Sequence, residues 1–100
     1  MARKYFRTTE VIKVCGVEGK FIDYLEREQL IQPVVRRKLK FYSVDQVDRI
    51  RVAHLLIEEM GVNLEGAEVA LHMREQMIAM QRQFNELLRV LAKRSSKSAG

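Results

Sequence analysis

The chain contains one cysteine and one proline, and it has no long apolar run. A lone Cys15 forms no internal disulfide and cannot make a metal site alone, so its expected role is that of a small buried filler. No apolar stretch approaches the ~20 residues needed to cross a bilayer. The start, Met1-Ala2-Arg3-Lys4-Tyr5, lacks the apolar core of a signal peptide, and the expected location is the cytoplasm. Also missing are a Ser/His/Asp set, a phosphate loop and paired catalytic carboxylates, so no enzyme is expected. His54 and His72 have no ligand partners at metal spacing, and neither a metal nor another cofactor is expected.

What is present is positive charge, unevenly placed. The net charge is +5. Residues 1–43 hold ten Lys/Arg against five Asp/Glu, and residues 44–100 hold eight of each, so the first half carries the whole excess. A basic face on a neutral body is the footprint of a polyanion binder.

Periodicity divides the chain. A first helix is expected from about Thr9 to Val14, capped by Thr8 or Thr9, followed by a tight turn at Cys15-Gly16-Val17. A second helix is expected from Glu18 to Glu28, with Phe21, Ile22 and Leu25 on one face and Leu30-Ile31 closing the core behind it. Pro33 ends this helix-turn-helix unit. Val34-Val35 and Leu39 to Tyr42 are β-prone and flank the basic tip Arg36-Arg37-Lys38, which reads as a hairpin wing whose register no Asn-Gly marks.

Ser43 and Gln46 fit a capping box opening a long helix with Val47, Ile50, Ala53, His54, Ile57 and Met60 on its apolar stripe. Gly61 stops it, and Asn63 caps a further short helix through Leu64, Ala67, Ala70 and Leu71. Met73, Met77, Met80, Phe84, Leu87 and Leu91 then form a heptad seam. Such a narrow stripe needs a partner groove. Pairing with the same helix of a second copy is favoured over folding back on the short body, because no helix of matching length remains. The expected fold is mainly α: a winged helix-turn-helix domain over residues 1–72, a coiled-coil dimerisation helix over 73–92 and a disordered basic tail over 93–100.

This order of elements resembles the MerR family of transcriptional regulators. The resemblance rests on Thr9-Glu10-Val11, Gly16-Val17 through Tyr24, Glu26, Leu30-Ile31, Pro33, Lys40, Tyr42-Ser43 and Asp45 to Val47, and spans about residues 5 to 91. Gly61 to Gly66 is similar to a segment of the heat-shock repressor branch. It implies a homodimeric, sequence-specific regulator on double-stranded DNA, which the protein bends or untwists. The chain departs from the pattern at Asp23, where Arg is usual, at Glu18, at Gln29 in place of glycine, and in a wing without glycine. The related chaperone modulator proteins keep the fold and bind a J-domain co-chaperone instead of DNA. Acids on the second helix suit that alternative.

The expected DNA contacts follow. Lys20 and Arg27 lie on one face of the second helix, with Lys20 the better placed for the major groove. The resemblance has Tyr24 touching the DNA backbone or bracing the helix. Arg36, Arg37, Lys38 and Lys40 would meet flanking phosphates, and Arg7 and Thr9 a phosphate at the first helix N-terminus. Tyr42, at the end of the wing, joins this set. Asp23 either repels phosphate or pairs with Arg27 four residues on.

Overall fold

The structure is a computed structural model that describes residues 4–99, with side chains as far as residue 95. Two compact units divide the chain, residues 1–68 and residues 69–100.

The first unit begins with a short strand β1 (Tyr5–Arg7), followed by helices α1 (Thr8–Cys15) and α2 (Gly19–Arg27). Strands β2 (Val34–Arg36) and β3 (Leu39–Ser43) come next, and then helix α3 (Val44–His54). The strands form one antiparallel sheet in the order β1-β3-β2. The expected two-stranded wing thus gains a third strand, with Phe6 opposite Tyr42 and Arg7 opposite Phe41. Three residues between Lys4 and Thr8 carry too little alternation to announce a strand; the free edge of β3 recruits them.

The core is built from Val11 of α1, Phe21, Ile22 and Leu25 of α2, Leu30 and Ile31 behind it, Tyr42 of β3, and Val47, Ile50 and Ala53 of α3. Their spacing on each helix is the one the sequence shows. Complete burial of an Ile or Leu side chain contributes about 1.5–3 kcal/mol.

Turn chemistry sets the angles between these elements. Gly16 closes α1 at φ 65°, its N–H donating to the Ile12 carbonyl. Neither Thr8 nor Thr9 caps α1. Arg7 holds that position, and its N–H donates to the Glu10 carboxylate at 3.0 Å. α2 ends in a Schellman motif: Leu30 N–H donates to the Leu25 carbonyl and Gln29 N–H to that of Glu26. Gln29 takes the left-handed position at φ 63°, which glycine normally fills.

The following loop is tied to α3. Gln32 N–H donates to Gln46 Oε1 at 2.7 Å, and Arg49 Nε donates to the Leu30 carbonyl at 2.7 Å. Ser43 Oγ accepts from Gln46 N–H at 3.3 Å, as expected for the cap. The Gln46 side chain, however, serves the α2 exit loop, so the box is only half formed.

Beyond His54 the helix widens into a π-helical turn, Leu55–Glu59. That turn shifts the helical phase, and Met60, assigned to the apolar stripe, is exposed. Gly61 then ends the helix at φ 71°, with Val62 N–H donating to the Leu56 carbonyl. Asn63 caps the next helix, its Oδ1 accepting from Gly66 N–H at 2.8 Å.

That helix, α4, is a single element over Leu64–Ala99. The break expected between a short helix and the seam helix is absent, because the sequence from Ala67 to Met73 contains neither glycine nor proline. The end near residue 92 is also absent, and the backbone is helical to Ala99 where a tail was expected; Gly100 lies outside the described residues. The described residues of the second unit all belong to α4, whose first turn lies in the first unit. Along it Met73, Met77, Met80, Phe84, Leu87 and Leu91 are all exposed, Met77 and Met80 at 67% each. Leu88 and Val90 widen the stripe. No helix among the described residues is long and apolar enough to cross a membrane.

Candidate nucleic-acid interface

α2 buries Phe21, Ile22 and Leu25, and this fixes what it shows to solvent. At 3.6 residues per turn, Lys20, Asp23 and Arg27 fall within about 60° of one another on the opposite side. All three are exposed. Lys20 lies 3.2 Å from Glu18, but the two side chains are 83% and 74% exposed, so the pair is loose. The expected alternative for Asp23 is not found, since no ion pair joins it to Arg27 among the described residues. Tyr24 is half-buried, its ring 6.4 Å from that of Phe21, which meets His54 edge-on at 5.5 Å.

The hairpin turns in two residues. Arg36 pairs with Leu39, leaving Arg37 and Lys38 as the loop, both with positive φ as a type I′ turn demands. Side-chain alternation along the paired strands divides the wing cations between two faces. Arg36 shares the outer face with Tyr5, Val34 and Phe41, and these four line one cavity. Lys40 lies on the inner face, where Nζ makes an ion pair with Glu26 at 2.9 Å. That hydrogen bond raises the Lys40 pKa above its usual 10.5, and desolvation opposes it only in part. Lys40 is thus less free for phosphate than sequence reading supposed, and no helical spacing linked Glu26 to it.

Tyr42 does not join the expected contacts. Its side chain is fully buried and cannot reach DNA without unfolding the sheet. The reason is register: opposite Phe6 on the inner face, it fills the core between helices and sheet. Burial raises its pKa above 10.0, an effect that the Thr8 hydroxyl beside it moderates. The contact falls short of a well-formed hydrogen bond, and the phenol oxygen has no partner.

Where the wing meets the start of α1, a cleft of about 270 Å³ is lined by Arg7, Thr8, Thr9, Lys38, Leu39 and Lys40. Three cations and two threonines meet there at a helix N-terminus, whose first N–H groups have no partners within the helix. The Arg7 guanidinium lies 5.8 Å from the centre of the Phe41 ring, which limits its freedom. Four of the expected contact residues, Arg7, Thr9, Lys38 and Lys40, are brought together in this cleft. Lys20 and Arg27 lie apart from it on α2, and Arg36 lines the separate cavity with Tyr5, Val34 and Phe41.

Cys15 is half-buried, and its Sγ donates to the Val47 carbonyl at 3.7 Å. Burial pushes its thiol pKa up, which makes it a poor nucleophile. Among the described residues no group of three or more His, Cys, Asp or Glu could hold a metal ion.

The family model for MerR HTH family regulatory proteins matches residues 6–89. No curated protein matches the chain.

Proposed function

Because the chain belongs to the MerR HTH family of regulatory proteins, a family of DNA-binding transcription regulators, we propose that it is a sequence-specific regulator acting as a homodimer. The observation that carries this reading is the cleft where Arg7, Thr9, Lys38 and Lys40 surround the α1 N-terminus, next to a helix-turn-helix whose second helix shows Lys20 and Arg27. A phosphate in the cleft would fix the register of the domain on the duplex, leaving α2 to meet base edges in the major groove.

The seam on α4 supports the dimer. Six large apolar side chains at heptad spacing stand exposed, and a second copy supplies the complementary knobs and holes. A symmetric pair would present two α2 helices to successive major grooves, about 34 Å apart.

Gel shifts with duplex DNA at low salt test the reading. About five phosphate contacts per subunit would make affinity fall steeply with salt. Arg7→Ala with Lys38→Ala should weaken binding to every sequence and flatten that slope. Equal affinity in the variant would refute the cleft as the anchor. A J-domain protein added to the same sample tests the chaperone-modulator alternative, which predicts its capture and indifference to DNA.

A further inference from the structure

Asp23 stands out on α2. The other acid in the helix, Glu26, is held by Lys40, and Glu18 at the helix start leans on Lys20. Asp23 is exposed and has no ion pair among the described residues, and it sits beside Lys20 and Arg27 at the pole opposite the core. On a helix that enters the major groove, this position faces bases. A carboxylate there is repelled by phosphate and loses water on docking, so it needs a donor within reach.

Major-groove edges offer few donors. Guanine shows O6 and N7, thymine O4 and a methyl group, and adenine a donor beside the N7 acceptor. Cytosine presents N4–H₂ as a donor and no acceptor of its own, and the guanine paired with it offers O6 and N7 to a neighbouring cation. An acceptor flanked by Lys20 and Arg27 matches a C·G pair from both sides.

Resting on the regulator reading above, we infer that Asp23 is a specificity-determining residue whose carboxylate accepts a hydrogen bond from the exocyclic amino group of a cytosine in each half-site. Asp23 lowers affinity for duplexes in general and restores it for those with the donor in place. Discrimination therefore comes from the repulsive arm as much as from the attractive one.

The test is selection of binding sites by the full-length protein from a randomised duplex pool, followed by competition binding. The wild type should select a cytosine in each half-site, and C·G→T·A there should weaken binding about tenfold, within the range of one good base contact. In Asp23→Ala the same change should cost less than about twofold, while affinity for unrelated duplexes rises. Asp23→Asn should move the preference toward adenine, which pairs with an amide through N6 and N7. If Asp23→Ala selects the same sequence and binds every duplex tighter by one common factor, the carboxylate is only a repulsive charge and the inference is overturned. Salt-dependent binding by the wild type without a selected cytosine overturns it too, and leaves the regulator reading standing. No binding to any duplex at low salt would remove both.

Discussion

Gln29 holds a left-handed backbone with an ordinary side chain, a conformation costing a non-glycine residue about 1–2 kcal/mol. Glycine there also carries more chain entropy when unfolded, which reduces the gain. Gln29→Gly should therefore stabilise the fold by roughly 0.5–1 kcal/mol, read as a higher midpoint in urea unfolding. Tyr42 raises a different issue, an enclosed phenol without a hydrogen bond. Tyr42→Phe should raise stability by about 1 kcal/mol, or Tm by about 5 °C, because an unsatisfied polar group is removed. The folded pKa of Tyr42 lies above the unfolded value near 10.0, so the neutral phenol favours folding. That contribution is whole below pH 10 and is lost as pH rises through the folded pKa. Alkaline unfolding in the wild type should thus be shallower in Tyr42→Phe. The same variant should bind DNA as the wild type does; weaker binding would reinstate Tyr42 as a contact.

Among the elements, the wing depends most on its neighbours. β2 is an edge strand of three residues, and its turn places Arg37 and Lys38 at positive φ without glycine. Glycine at these positions would relieve strain and loosen the tip. Retaining two long cations there makes sense if the tip is a contact point. Replacing Arg36, Arg37 and Lys38 together by Ala should lower affinity for all duplexes alike, with a salt slope reduced by about one unit for each lost phosphate contact per subunit. Unchanged gel shifts at low salt would exclude the wing from the interface. The loop between α2 and β2 belongs to the same argument. Gln46 and Arg49 of α3 hold it through Gln32 and Leu30, just ahead of β2.

At the scale of the whole chain, the apolar stripe of α4 is exposed along its length. Exposed Met73, Met77, Met80, Phe84, Leu87 and Leu91 favour association. Met77→Lys with Phe84→Lys should convert a dimer to a monomer in light scattering at concentrations well above micromolar. Because two half-sites bound together gain affinity over one, the monomer should also lose specific binding by a factor of at least ten. A wild type with the mass of a monomer would refute pairing of the α4 seam with a second copy.

The sequence alone determined the helices and most of the core, because burial repeats at helical spacing in Phe21, Ile22 and Leu25 and again in Val47, Ile50 and Ala53. It also carried the heptad spacing of Met73 to Leu91, along with Gly61 and Asn63 as stop and start. Arg7, Thr9, Lys38 and Lys40 were legible as candidate contacts, but their meeting in one cleft was not, since nothing local brings Arg7 to Lys38. Tertiary structure decided the third strand, the burial of Tyr42 and the capture of Lys40 by Glu26. Strand register, phase shifts and long-range ion pairs depend on which surfaces meet, and the local pattern of residues does not carry that information.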